Sequence, residues 1–261
     1  MIGKKRNKTN NGENPEKNLP LSGHLRELRN RVVICLVSVI GFFLLGLNLA
    51  PNFVNLLTDI GTQYGYQYVY IAPQELLMQY FSVALLLSVV FSLPLILYHV
   101  WAFVQPGMKK NENSLFLITL VFGLICFVIG ILFAYKIMLP FMLRFLIEVS
   151  LGSDITAQIS VQNYVQFLLT IFMIFGIVFE LPVVSVLLTQ LGLLKVSWMK
   201  KGTKLVIVLI FFVAAIITPP DIVSQIMVAI PMIGLYELSI ALCSVLLKLK
   251  RKKKAEEEEE E

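Results

Sequence analysis

Three carboxylates sit beside or inside long apolar runs of this chain. Glu27 precedes the first run, which begins at Val32. Glu112 precedes the third, and Glu180 lies within the fourth, in Ile174-Phe-Gly-Ile-Val-Phe-Glu-Leu-Pro182. The planar fork of an arginine meets the two oxygens of a carboxylate bidentately. Two such acids at one membrane surface could hold a ligand that carries two arginines. Each acid also has a plainer reading. Glu27 shares a helix flank with His24 and Arg31, three and four residues away, so Arg31 could neutralise it while the arginines anchor the helix at the surface. Glu112 could be a favourable charge at a helix N-terminus, beside a cap at Asn111 or Asn113, or a partner of Lys109. An ionised group in hydrocarbon costs at least about 2.5–3.5 kcal/mol. Glu180 should therefore face a cavity, a wet groove or a partner such as Gln225. Glu237, near the end of the last run, raises the same question more weakly.

Other chemistry has little to stand on. No Lys or Arg lies mid-span, and no phosphate-binding loop, His/Cys metal spacing or Ser/His/Asp set can be assembled. His24 and His99 are the only histidines, in separate segments. The three cysteines, Cys35, Cys126 and Cys243, lie inside apolar runs and read as packing residues. The expectation is a protein that is not an enzyme, with no metal and no cofactor.

These acids must be positioned by membrane helices. The chain is 57% hydrophobic and only 15% charged, against about 25% charged in soluble domains. Several apolar runs pass the roughly 18 residues that mark a spanning helix, and they are continuous where barrel strands would alternate. Six spans are expected, at about residues 32–49, 76–104, 115–139, 161–191, 204–217 and 222–247. Ahead of the first, Leu21, Leu25, Leu28 and Val32 form one face of a short amphipathic helix. Residues 1–20 read as a disordered polar tail, with no signal-peptide core to be cleaved, and residues 248–261 as a solvated, disordered charged tail ending in six glutamates. The fourth span is long for a bilayer and should tilt or kink at Pro182. The fifth is short and should thin the bilayer locally. Residues 50–73 carry no Lys or Arg, and Tyr64, Tyr66, Tyr68 and Tyr70 alternate there as an interfacial aromatic cluster. The stretch 140–149 could be a short interfacial helix.

Six spans leave both termini on one side. Of the 22 Lys and Arg residues, 20 fall on that side and only Lys136 and Arg144 on the other. The positive-inside rule makes it the cytoplasmic side, with the turns at 105–113 and 192–204 there too.

Several segments, in order, resemble one family. They are His24-Leu-Arg-Glu-Leu-Arg29, Leu93-Pro-Leu-Ile-Leu-Tyr-His-Val-Trp-Ala-Phe-Val-Gln-Pro-Gly107 leading to Glu112, Phe175-Gly-Ile-Val-Phe-Glu-Leu-Pro182, Ile217-Thr-Pro-Pro-Asp-Ile-Val-Ser-Gln225, Ala229-Ile-Pro231 and Tyr236-Glu237. Together they resemble TatC, the multispanning receptor subunit of the twin-arginine protein translocase, over about residues 20 to 245. The resemblance implies an all-α membrane protein of six transmembrane helices, curved like a glove around a concave face. It implies recognition of folded cargo by Arg-Arg signal peptides, and export across the cytoplasmic membrane driven by the proton-motive force. It assigns Glu27 and Glu112 to the two arginines, with His24 and Arg29 in the same binding segment, and Glu180 to the concave face. It assigns Pro219, Pro220, Asp221 and Gln225 to contact with single-pass partners of the TatA/TatB type in a hetero-oligomeric complex. One departure is His99, where the family usually has Gln. Two rival functions stay open: a proton-coupled secondary transporter using Glu180, and an insertase or scaffold without arginine specificity.

Overall fold

The computed structural model describes residues 21–104, 113–150, 158–218 and 221–259. Glu112, Pro219, Pro220 and the two outermost tails lie outside the described residues. The chain is almost wholly helical, as continuous apolar sequence in a bilayer requires, because every backbone N–H and C=O must be satisfied within the segment.

The first helix, α1, spans Leu21–Gln63, 43 residues. That is roughly 64 Å at 1.5 Å per residue, about twice the hydrocarbon thickness. Hydropathy alone places the span at 32–49. The helix continues through Pro51, so 50–63, expected as a loop, is helical. α2, Glu75–Val104, lies along it. The two helices meet closely at Gly46, where an added Cβ would stand 2.6 Å from the Ala84 carbonyl oxygen. That atom is backbone and cannot rotate away. Gly46→Ala is expected to push α1 off α2 and cost about 1–3 kcal/mol, read as a lower thermal midpoint in a fixed detergent.

The third span is α3, Asn113–Phe133, followed by a π-helical turn at Ala134–Met138 and α4, Leu139–Ser150. Pro140 does not end the helix. The wider turn just before it rearranges the backbone hydrogen bonds that a proline ring would disrupt. The fourth span is two helices, α5 (Val161–Phe179) and α6 (Leu181–Gln190), separated at Glu180 with Pro182 in the first turn of α6. α5 is the centre of the fold. Val165, Leu168, Ile171 and Phe175 are fully buried against α3, α2 and α1. A Cβ at Gly130 of α3 would come 2.7 Å from the Phe175 carbonyl oxygen, which sets how closely α3 approaches α5.

α7, Val196–Ile217, and α8, Ile222–Glu259, form a hairpin, and α6 packs on α8 as well. Among the described residues, five helical stretches are long and apolar enough to cross a bilayer. α7 is not among them, since its apolar part covers only 205–217, about 20 Å of helix. α8 runs on past the membrane through the basic stretch to Glu259, where composition suggested disorder. Lys, Ala and Glu are all good helix formers, and the preceding helix removes the nucleation cost.

A small cap joins the ends of the helices on the face opposite the N-terminus of α1. β1, Gln67–Val69, pairs in parallel with β2, Gln158–Ser160, with Tyr68 opposite Ile159. The tyrosines expected at a membrane interface divide. Tyr70 is exposed, whereas the rings of Tyr66 and Tyr68 pack on that of Tyr164 at 6.0 and 4.9 Å. The Tyr66 hydroxyl donates to the Leu143 carbonyl, and the Tyr164 hydroxyl to that of Leu57. The Arg144 guanidinium lies 5.8 Å from the centre of the Tyr64 ring. Burial pushes the Tyr66 and Tyr68 phenols up to about 12. The stability they lend is therefore full below the unfolded value near 10 and lost as pH rises toward 12. Near-ultraviolet circular dichroism should stay flat until the pH passes about 10.

Candidate functional site

Each spanning segment reverses direction, so the N-terminal turns of α1, the C-terminal end of α2, the α6–α7 turn and the C-terminal part of α8 share one face of the bundle. Glu27 belongs to that face. Its Oε1 accepts from the Arg31 side chain through Nε at 3.1 Å and through a second guanidinium nitrogen. The plainer of the two readings therefore describes this conformation: Arg31, one turn on, partners Glu27. A half-exposed i,i+4 pair of this kind is worth only about 0.3–0.5 kcal/mol. A guanidinium from outside can take its place at small cost. Around Glu27 the expected apolar stripe faces outward, with Leu25, Leu28 and Val32 all exposed, as suits contact with lipid. Arg29 is exposed on the same helix. His24 lies on α1, but its side chain, like Glu112, Pro219 and Pro220, is outside the described residues.

Glu180 occupies the break between α5 and α6. It is buried, and neither carboxyl oxygen has a hydrogen-bond partner among the described residues. The helix interruption follows from Pro182, which supplies no N–H to the turn. The carboxyl group points at α3, where a Cβ on Gly123 would sit 3.3 Å from Oε2 and 3.3 Å from Leu97 Cδ1. The absence of a side chain at Gly123 leaves the room that the carboxylate fills. The partner considered for Glu180 in the sequence, Gln225, is engaged elsewhere. Its Nε2 donates to the Phe211 carbonyl at 2.9 Å, bracing α8 to α7.

The other residues near the α7–α8 tip have structural work. Asp221 caps α8, with its Oδ1 accepting from the Ser224 N–H at 2.7 Å. Thr218 is buried and its hydroxyl donates to Ala214. Asp221→Ala should cost about 1 kcal/mol, with Asn nearly neutral, because an N-cap needs only an acceptor oxygen; thermal unfolding of the two variants measures the difference. His99 sits edge-on to Tyr98 at 5.3 Å between centroids. No group of three or more His, Cys, Asp or Glu side chains converges among the described residues.

Glu75 is a group that sequence reasoning passed over. It is buried at the start of α2. One oxygen accepts from the Ala72 N–H and the other from the Ser160 hydroxyl, each at 3.1 Å. The hint was its place two residues after Pro73, where an acid favours a helix N-terminus. The 85-residue reach to Ser160 left no local signal.

Known proteins with this arrangement bear on it directly. The family model described as "Sec-independent protein translocase protein (TatC)" matches residues 23–231. Proteins of that name from Listeria innocua and Helicobacter pylori (strain J99) are 34% and 37% identical to this chain. They cover 86% and 84% of it and 91% and 87% of their own lengths. The solved structure described as "Crystal Structure of Twin Arginine Translocase Receptor- TatC" superposes with a TM-score of 0.77 at 32% identity, over 85% of this chain and 98% of that one. A six-span membrane fold that carries the motif segments in order, with matches of this extent, places the chain in the TatC family of Sec-independent protein translocase proteins.

Proposed function

We propose that this translocase subunit is the receptor for signal peptides bearing two consecutive arginines, and that Glu27 and Glu112 receive them. The observation that carries the reading is the Glu27–Arg31 pair: one carboxylate oxygen, Oε1, already accepts from two nitrogens of a guanidinium, at a cost low enough for exchange. In the sequence Glu112 stands one residue before Asn113, where α3 begins. His24 and Arg29 flank the site on α1. The excess of Lys and Arg on that face makes it the cytoplasmic one, with both termini there and the chain in the cytoplasmic membrane.

In this reading the apolar part of the signal peptide lies along the concave face on the side of Glu180. Single-pass subunits of the TatA/TatB type assemble along α7 and α8, where Pro219, Pro220, Asp221 and Gln225 form the contact, and the proton-motive force drives export. A buried Glu180 with no hydrogen-bond partner among the described residues is also what a proton-coupled transporter would need. Such a transporter, however, gives no reason for two acids, Glu27 and Glu112, each just ahead of an apolar run.

Photo-crosslinking tests the proposal. A probe at Asn113 in membranes should capture an Arg-Arg signal peptide and not its Lys-Lys counterpart. Equal capture of both would replace the receptor reading with an insertase or scaffold, and no capture by folded protein would direct attention back to Glu180.

A further inference from the structure

The candidate is the basic end of α7. Lys195, Lys200, Lys201 and Lys204 are exposed there, and none has an acidic partner among the described residues. Trp198, also exposed, stands among them with the Lys195 ammonium 5.2 Å from its ring centre. At 100° per residue, Trp198, Lys201, Leu205, Val208, Phe212 and Ile216 fall within one quadrant of the helix, and the five apolar members are all exposed. This is an outward face that meets lipid, with a lysine one turn above its first aliphatic side chain.

The length of that face is the decisive quantity. From Lys201 to Ile216 is 15 residues, roughly 22 Å, against a hydrocarbon core of about 30 Å. Tilting the helix would shorten its vertical reach further. Sliding it is blocked by two cross-braces to α8: Gln225 Nε2 donates to the Phe211 carbonyl and the Tyr236 hydroxyl to the Met199 carbonyl, both at 2.9 Å. Met199 is itself buried against Ile240 and Cys243. With α7 braced to α8, its outward apolar face falls about 8 Å short of the hydrocarbon thickness. A stretched lysine recovers only part of the difference by reaching up. The rest must come from the lipid.

We infer that the Lys200, Lys201 and Lys204 end of α7, with Lys195 and Trp198, is a binding surface for the headgroups of anionic phospholipids, which it draws below the surrounding leaflet. The inference does not depend on arginine recognition. Lipid phosphates complement unpaired ammonium groups, and the indole suits the headgroup level. A locally lowered leaflet beside the short helix is the physical consequence.

Trp198 is a built-in reporter, because the other tryptophan, Trp101, is buried. Full-length protein would be reconstituted in nanodiscs containing phosphatidylglycerol or phosphatidylcholine brominated in the acyl chains. The Trp198→Phe variant would be subtracted as background. Quenching by the brominated phosphatidylglycerol should exceed that by phosphatidylcholine roughly threefold or more at low salt. The triple variant K200Q/K201Q/K204Q should bring the two to parity, while K200R/K201R/K204R keeps the preference. K252Q/K253Q/K254Q, which removes the same charge from the end of α8, should leave it intact. Equal quenching by the two lipids in the native protein would overturn the inference. So would a preference that survives the α7 glutamines, or one that disappears equally with the α8 glutamines, since that would mean only a diffuse charge effect. Loss of the preference to millimolar glycerol phosphate would also overturn it, by identifying a soluble phosphate site.

Discussion

Reversing the charge at Glu112 is expected to abolish capture of an Arg-Arg signal peptide while leaving the chain inserted and folded. A charge-assisted pair is worth about 1.5–3 kcal/mol, and Glu112→Lys replaces it with repulsion. The change should exceed about 3 kcal/mol, which lowers affinity by more than roughly 100-fold. Glu27→Lys should act alike, and the two variants together should be no worse than the stronger one alone once binding is lost. The sharper test is Arg31→Gln. Arg31 competes for Glu27 in the unliganded chain, and its pair is worth about 0.3–0.5 kcal/mol. Removing it should therefore raise the yield of Arg-Arg crosslinking, by up to about twofold. If Glu27 were only a neutralised anchor residue, Arg31→Gln would leave capture unchanged and Glu27→Lys would do the same. Export that persists in Glu112→Lys would end the arginine-pairing proposal.

The part of this structure that hydropathy sees was legible, and the part that depends on distant contacts was not. Uniformly apolar stretches forced helices, and Pro182 announced the break in the fourth span. Pro140 misled, because a proline reads as a stop unless a π-helical turn before it rearranges the hydrogen bonds, and nothing local encodes that turn. The end of α1 was missed for a different reason. Residues 50–63 mix polar and apolar types, and they are helical because Ala50, Val54 and Leu57 pack on the rest of the fold. Ala50, Val54 and Leu57 recur at the spacing of a helix face, but the run of apolar residues that marks the span ends at Leu49. β1 and β2 are three residues each and 91 apart in register, below anything that strand propensity can detect. Of the candidate site, the acids themselves were legible because a charge beside or inside an apolar run is costly wherever it occurs. Their partners were not. Arg31 was foreseen from i,i+4 spacing, whereas the lack of a hydrogen-bond partner for Glu180 among the described residues required knowing that Gln225 faces Phe211.

Glu75 and Glu180 should respond in opposite ways to removal of the carboxyl group, and the contrast separates a structural acid from a functional one. Both are buried. Glu75 accepts two hydrogen bonds, one from the Ala72 backbone and one from the Ser160 hydroxyl, and so ties the start of α2 to the β2 strand and the start of α5. Glu75→Ala strands both donors in a buried cap, at about 1–3 kcal/mol for each unsatisfied group. A loss of about 3 kcal/mol or more is expected, with a large fall in thermal midpoint and with Gln recovering part of it. Glu180 accepts no hydrogen bond from any described residue, so its removal strands nothing. Replacing a buried, unsatisfied carboxyl by an apolar side chain of similar volume is commonly neutral or stabilising. Glu180→Met should therefore keep or raise the thermal midpoint and at the same time impair export, the pattern expected when a costly group is retained for its function. Parallel unfolding and export measurements on the two variants decide the matter. If Glu180→Met destabilises as strongly as Glu75→Ala, Glu180 holds the helices together and the functional assignment fails. If it stabilises without impairing export, the carboxylate has no part in transport, and its place against Gly123 has to be explained by packing alone.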